Sequence, residues 1–378
     1  MEDLEVIRKE ATQLAAAVDS VAAEADESLT PNPLMVQELQ ESGLAGIMVA
    51  GEYGGRFEAV DPLAITLTRE ILMYTSAHLD SLFAMQGIGS YAIGRAASDR
   101  VRSYWLPRVA KMEVHAALAL TEPQAGSDLR AINTTVTGRG SELVIDGHKS
   151  FITNAGCAGF YAVLAREGDG YSLIFVPADA SGVSASVGPR IIAPHVVGDV
   201  RFEDVHVPAD YRIGAPGEGF SLALATLATF RVSVAGAAVG LAQAALDEAV
   251  AHTATREQFG RPLAELGAVA GILGRSWMEV ETARAIAYRA ATMAREDPLG
   301  NLHMSSIAKV SATEAAGRVA DVAVQVMGRF GLISGSKAER LYRGARPLRI
   351  YEGGSEVVLD SLARKLLKDY RKKGNESS

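Results

Sequence analysis

One cysteine, Cys157, stands in a chain of 378 residues. No intrachain disulfide can form, which fits a reducing compartment. Aromatic residues are scarce, at 6%, and the apolar mass is mainly Ala, Leu and Val, which suits closely packed helices. Positive charge is not in excess either. The formal net charge of -8 argues against a nucleic-acid surface. The one basic cluster, Arg364–Lys373, reads as a solvated helix end. The opening Met-Glu-Asp-Leu-Glu lacks the basic-then-apolar order of a signal peptide. The uncharged apolar stretch Gly236–Leu246 is short for a bilayer span. A cytoplasmic protein with neither nucleic-acid nor membrane partners is expected.

Several common chemistries are also missing. No Gly-x-Gly-x-x-Gly follows a strand, and there is no P-loop. The seven histidines are scattered and no His-Glu-x-x-His occurs, so no metal site is expected. No Gly-x-Ser-x-Gly elbow is present. Two Ser-x-x-Lys matches, Ser306–Lys309 and Ser334–Lys337, lack their companion motifs and read as ordinary helix and loop residues.

What is present is a three-part chain. Hydrophobic residues make up 48%, enough for a large core. Residues 1–114 read as a helical domain: Asp61-Pro62 offers an N-cap and first-turn proline, Asp99 offers a second cap, and Ser42-Gly43 ends an earlier helix. Residues 115–215 hold short β-type runs: Ile132–Thr137, Leu143–Ile145, Phe160–Ala165, Tyr171–Val176, Val183–Val187 and Val200–Val207. Turn signals and no helices separate them, which predicts an antiparallel barrel or sandwich. Residues 216–378 become helical again. Leu222–Thr253 is apolar almost all round and should be buried. Pro262–Arg295, Leu299–Arg329 and Ser355–Leu367 complete a bundle of long helices. The fold class is therefore α+β.

Four segments carry the chemistry: Ala119-Leu-Thr-Glu-Pro-Gln-Ala-Gly-Ser-Asp128, Gly147-His-Lys-Ser-Phe-Ile-Thr-Asn154, Thr255-Arg-Glu-Gln-Phe-Gly260 and Ile350-Tyr-Glu-Gly353. Taken alone, the first is a tight turn with free backbone N–H groups, equally a flavin or phosphate cradle and a capped loop. Arg256 alone reads as a solvated helix end, and Glu352 alone as a helix-start carboxylate. In this order the four segments closely resemble the acyl-CoA dehydrogenase family, over nearly the whole chain. Phe202-Glu-Asp-Val-His-Val-Pro208 resembles the family's closing β segment.

The resemblance implies FAD as cofactor, an acyl thioester as substrate, an electron-transferring flavoprotein as acceptor, and a homodimer or homotetramer. It implies that Leu118, Thr121, Gly126 and Ser127 line the flavin, with Ser127 also near the thioester. Phe151, where the family often has Trp, would cover one flavin face and Thr153 would place a hydroxyl beside N5. Arg256 would bind the FAD pyrophosphate of a neighbouring subunit, with Phe259 packed on that cofactor and Gln325, Gly328 and Ser355 completing the cofactor set. Glu352 would be the catalytic base, flanked by Tyr351 and Gly353 on the substrate side together with Arg231. Other branches carry their base on the long helix beside the arginine matching Arg231. Here that neighbour is Phe230, which cannot serve.

The pattern breaks in places. Gln-x-x-Gly-Gly reads Gln325-Val-Met-Gly-Arg329, the threonine after Glu-Gly is Gly354, and Leu266-Gly267 stands where a glutamine is often found. On the substrate side, Ala228 replaces an acidic residue, and the loop Ala193-Pro-His-Val-Val-Gly198 is short. These changes leave acyl-CoA and an acyl-carrier protein both open, the latter as a source of specialised, polyketide-type building blocks. A flavin monooxygenase on the same fold and a non-enzymatic helical protein without FAD are the competing readings.

Overall fold

The structure, a computed structural model, describes residues 2–193 and 195–376. Six α-helices come first: α1 (Glu2–Val18), α2 (Ala22–Ala25), α3 (Pro33–Ser42), α4 (Pro62–Thr75), α5 (Ala77–Ala96) and α6 (Asp99–Ala110). The Asp61 carboxylate accepts from the Leu63 N–H at 2.9 Å and caps α4 as expected. Gly43, at φ +62°, closes α3. The α6 expectation needs correction. Asp99 is its first helical residue, and the preceding Ser98 makes no side-chain cap bond.

Eight strands follow: β1 (His115–Ala119), β2 (Thr135–Arg139), β3 (Glu142–Thr153), β4 (Ala158–Glu167), β5 (Gly170–Pro177), β6 (Val183–Val187), β7 (Val197–Pro208) and β8 (Arg212–Ile213). They form one sheet in the order β6-β7-β3-β2-β4-β5-β8, with β1 on β4. The sheet is mixed rather than purely antiparallel. β1 runs parallel to the first half of β4, and β2 meets the same edge in parallel at Thr135 and Arg166. β1 escaped the sequence reading because His-Ala-Ala-Leu-Ala carries little β propensity. Along β4, Phe160, Ala162 and Leu164 face the core shared with the N-terminal helices, while Tyr161, Val163 and Ala165 face the sheet's own core. Both faces are covered, which is why this strand is an unbroken apolar run.

The remaining chain is α7 (Gly219–Thr255), a hairpin of two-residue strands β9 (Glu257–Gln258) and β10 (Arg261–Pro262), then α8 (Gly267–Glu296), α9 (Leu302–Met327), α10 (Lys337–Leu348) and α11 (Ser355–Glu376). α7 is long and apolar enough to cross a bilayer, yet 78% of its most apolar stretch is buried inside the protein. It is the central helix, packed on α4, α8, α9 and α10. Alanines dominate the contact surfaces of α7, α8 and α9, so their backbones approach closely. The approach to α4 is closer still. A Cβ on Gly236 would fall 2.3 Å from the Thr66 carbonyl oxygen, and one on Gly240 1.9 Å from that of Glu70.

Gly240→Ala should therefore force α7 off α4 and cost about 1–3 kcal/mol, read as a lower denaturation midpoint. Gly271→Ala, on α8 with open space around it, should raise the midpoint by about 0.5–1 kcal/mol through helix propensity.

Candidate active site

Glu352 lies on the turn between α10 and α11. Its backbone is left-handed, at φ +52°, and Gly353 follows at +107°. A non-glycine residue in this region needs its surroundings to hold it there. Two cations do so, one half-buried and one fully buried. Arg231 of α7 donates through Nε to the Glu352 carbonyl at 3.0 Å, and through Nη1 to Ser306 Oγ at 3.2 Å. Lys309 of α9 donates to the Gly353 carbonyl at 2.7 Å. A side chain at residue 353 would meet Val358 at 2.9 Å and the Arg231 guanidinium at 3.4 Å. The glycine thus serves the turn itself, beyond leaving room for a ligand. Behind the turn, Glu314 accepts from Arg349 at 2.8 Å and from the Ser355 hydroxyl at 2.9 Å.

The carboxylate itself is desolvated. Burial raises the Glu352 pKa, opposed by the charges of Arg69, Arg231 and Lys309, and its Oε2 is buried without a hydrogen-bond partner. Among the described residues the Glu352 N–H also finds no protein acceptor. Lys309, itself pushed down to about 8 by burial, was read from sequence as an ordinary helix residue. The structure instead sets both ends of Ser306–Lys309 under the Glu352 turn.

A second group of residues sits on the sheet. The β3–β7 register slips between Lys149 and Ile152, leaving Ser150 and Phe151 as a bulge. Bulges re-aim side chains beside functional sites. Phe151 takes φ +54° and its ring is 56% exposed although it lies in mid-strand. The Ser150 N–H, freed from the ladder, donates to the Thr121 carbonyl at 3.0 Å. Lys149 is fully buried and donates to the Leu120 carbonyl at 2.9 Å and to Glu122 at 2.8 Å. Glu122 also accepts from the backbone N–H groups of Asn133 and Thr134 and from Gln124. Burial works against its ionised form, but these donors outweigh it and hold Glu122 at about 2. Lys149 is pushed down to about 8 by burial. This ion pair, unassigned by the sequence reading, pins the turn that presents exposed Gly126 and Ser127 beside half-buried Leu118 and Thr121.

Thr153, at the end of β3, lies 3.5 Å from His195 Nε2, which also contacts Ser81 Oγ at 3.0 Å. Burial pushes the His195 pKa down to about 4, which favours the neutral imidazole. Pro194, in the same short loop, lies outside the described residues.

A third group lies at the far end of α7. Arg256 follows its last turn, with its guanidinium 5.6 Å from the Phe330 ring centroid. Arg329 lies 5.1 Å from the same ring. Phe259 is 91% exposed at φ +55°, and Gln325 and Gly328 are exposed at the end of α9. Arg256 and Arg231 are 25 positions apart on one helix, which is about 38 Å at 1.5 Å per residue. The structure therefore does not bring the Arg256 group to the Glu352 turn within one chain.

The three groups have the chemistry an FAD needs: exposed aromatic rings, a glycine-containing turn with free N–H groups, and a guanidinium with no carboxylate partner among the described residues. Ser355 is buried with its hydroxyl donated to Glu314, so it braces the turn. Phe230 is 1% exposed in the core, edge-on to Tyr91.

A helical domain, a mixed β sheet and a bundle of long helices around a desolvated carboxylate set the class of fold and site. Comparison with known proteins makes the assignment specific. Family models described as acyl-CoA dehydrogenase N-terminal, middle and C-terminal domains match residues 1–113, 117–205 and 217–367. The chain is 30% identical over 337 residues to cyclohexane-1-carbonyl-CoA dehydrogenase of Geobacter metallireducens, covering 88% of each chain. The solved butyryl-CoA dehydrogenase of Megasphaera elsdenii superposes with a TM-score of 0.92 at 28% identity, covering 97% of this chain and 98% of that one. FkbI, described as acting in biosynthesis of the methoxymalonyl extender unit of the Fk520 polyketide, is 32% identical with a TM-score of 0.84, covering 95% and 99%. The chain belongs to the acyl-CoA dehydrogenase family.

The Glu122 pair gives a pH test. A carboxylate depressed in the fold contributes stability above its ordinary value of 4.5 that is lost as pH falls towards about 2. Denaturant midpoints should fall across this window. Glu122→Gln should flatten the dependence and cost about 3–5 kcal/mol at pH 7 by stranding Lys149.

Proposed function

We propose that this protein dehydrogenates an acyl thioester at its α and β carbons, with Glu352 as the base. The observation that carries this reading is the Glu352 carboxylate, buried with Oε2 unpartnered on a turn held in a left-handed conformation. A base for the α proton has to be poised nearer neutral pH than a free glutamate, and burial moves Glu352 in that direction.

Glu352 removes the α proton and keeps it on its carboxylate. Bound FAD supplies the hydride acceptor for the β carbon. The unpaired Glu352 N–H is placed to donate to the thioester oxygen, where charge develops as the proton leaves. Arg231 and Lys309 keep that N–H and the carboxylate in position through the backbone carbonyls. Tyr351, Gly353, Arg231 and Ser127 form the substrate side. Leu118, Thr121, Gly126, Ser127, Phe151 and Thr153 hold the flavin end of the cofactor.

Arg256 and Phe259 beyond the end of α7, and Gln325 and Gly328 at the end of α9, are too far from the Glu352 turn to reach the same cofactor. They bind the phosphate and adenosine end of the FAD held by a neighbouring chain. The working unit is therefore a dimer or a tetramer. An electron-transferring flavoprotein is the acceptor we propose.

The thioester carrier is either CoA or an acyl-carrier protein. The likeness to FkbI, named for a polyketide extender unit, and Ala228 in place of an acidic residue support the carrier-protein option. Anaerobic flavin bleaching across a panel of acyl-CoA and acyl-carrier thioesters decides between them.

Glu352→Gln should retain FAD and bleach about 10²–10⁴-fold more slowly, and an unimpaired variant would sink the mechanism. In the unmodified protein, kcat/KM should rise with pH as Glu352 loses its proton. That acid limb should lie above the ordinary glutamate range, because burial raises this carboxyl.

A further inference from the structure

Phe330 gathers two arginines at one end of the helical bundle. It lies in the single 3₁₀ turn, Gly328–Phe330, that follows α9. The Arg329 guanidinium lies 5.1 Å from its ring centroid, and that of Arg256, just past α7, lies 5.6 Å from it. His252, about one turn before Arg256 on α7, packs on the same ring with centroids 5.3 Å apart. The backbone on both sides is tied down. The Arg256 N–H donates to the His252 carbonyl at 2.9 Å, the Leu263 N–H donates to the Arg256 carbonyl at 2.8 Å, and Gly331 closes the 3₁₀ turn by donating to Gly328 at 3.0 Å.

Each arginine by itself is ordinary. A cation past a helix C-terminus complements the helix dipole, and a guanidinium against an aromatic ring is a common contact. Neither reason explains why the two meet. Like charges beside one ring repel, and among the described residues neither side chain joins an ion pair or donates a hydrogen bond. Desolvation and the Arg256 charge lower the pKa of His252, so this ring already disfavours a third cation. An anion lying between the two guanidinia would relieve the repulsion. Arg329 is moreover this chain's own addition, standing at the second glycine of the Gln-x-x-Gly-Gly pattern.

We propose that Arg329 and Arg256 form a two-guanidinium site for a diphosphate ester, with Arg329 a binding residue in addition to Arg256. Two guanidinia match the two negative charges of a diphosphate, and each can hold one phosphate through paired N–H···O bonds. A single carboxylate would neutralise only one of them. The inference rests on the reading that the Arg256 group takes the diphosphate of the FAD held by a neighbouring chain. It goes beyond that reading by assigning Arg329 and by making the grip on the cofactor electrostatic. Arg329 is exposed and Arg256 half-buried, so salt screens this grip.

The test follows FAD leaving the loaded protein, with free flavin collected by ultrafiltration over a series of NaCl concentrations. The unmodified protein should release FAD faster as salt rises. Arg329→Gln, which keeps N–H donors without the charge, should release it about tenfold faster in low salt and respond less to added salt. Arg329→Lys keeps the charge without the planar fork, so its salt response should match that of the unmodified protein while its release rate falls between the other two. Release from Arg329→Gln at the unmodified rate, or faster release with an unchanged salt response, overturns the proposal. So does an Arg329→Gln protein that loses FAD by separating into single chains, which light scattering detects. Arg256→Gln separates the two claims. FAD held as firmly in Arg256→Gln as in the unmodified protein removes the reading on which the inference rests, whereas FAD loosened by Arg256→Gln but not by Arg329→Gln removes only the role of Arg329.

Discussion

The site depends on the hold that two cations, half-buried Arg231 and buried Lys309, have on one backbone turn. Arg231 and Lys309 come from α7 and α9, far apart in sequence, and donate to the adjacent carbonyls of Glu352 and Gly353. A glutamate at φ +52° is not where a free chain would leave it. The cations hold the turn in that form, and in doing so they aim a carboxylate into a space where it has no hydrogen-bond partner. The same charges oppose the rise that burial imposes on the Glu352 pKa. Packing explains why the cations stay put. α7 is pressed against α4 through Gly236 and Gly240 and surrounded by alanine faces, so Arg231 has little freedom to swing away.

The sheet side follows a similar logic with different means. A register slip in β3 turns Phe151 outward, and the freed Ser150 N–H ties down the 121–128 turn. Lys149 and Glu122 lock that turn from beneath. Five of the six non-glycine residues with positive φ among the described residues, Phe151, Asn154, Asp204, Phe259 and Glu352, lie in the family-like segments. Strain is therefore concentrated where ligands are expected to touch the chain.

Much of this was legible beforehand. Asp61-Pro62 and Gly43 marked helix ends through local chemistry, and the strands β3 to β7 announced themselves by β-type runs between turns. β1 was missed because alanines carry no strand signal. α10 was passed over because it is rich in charge, although Ala338, Leu341, Ala345 and Leu348 sit at helical spacing and are buried. Asp99 looked like a cap and is a first-turn residue, an error of one position that local sequence cannot resolve. At the site, the motif residues were visible, but their supports were not. Ser306 and Lys309 looked ordinary, and Glu314, which braces the turn through Arg349 and Ser355, lay outside every motif.

By itself, the sequence determined the helical–β–helical order, the family, and Glu352 as the carboxylate to watch, since caps, periodicity and short motifs are local properties of the chain. Only the tertiary structure decided what Glu352 experiences. Its left-handed backbone is held by donors on α7 and α9, the farther of which, Arg231, lies 121 positions away in sequence. No spacing rule encodes which side chains such helices bring together. The long α7 likewise separates Arg256 from Glu352 by a distance that a sequence motif does not express.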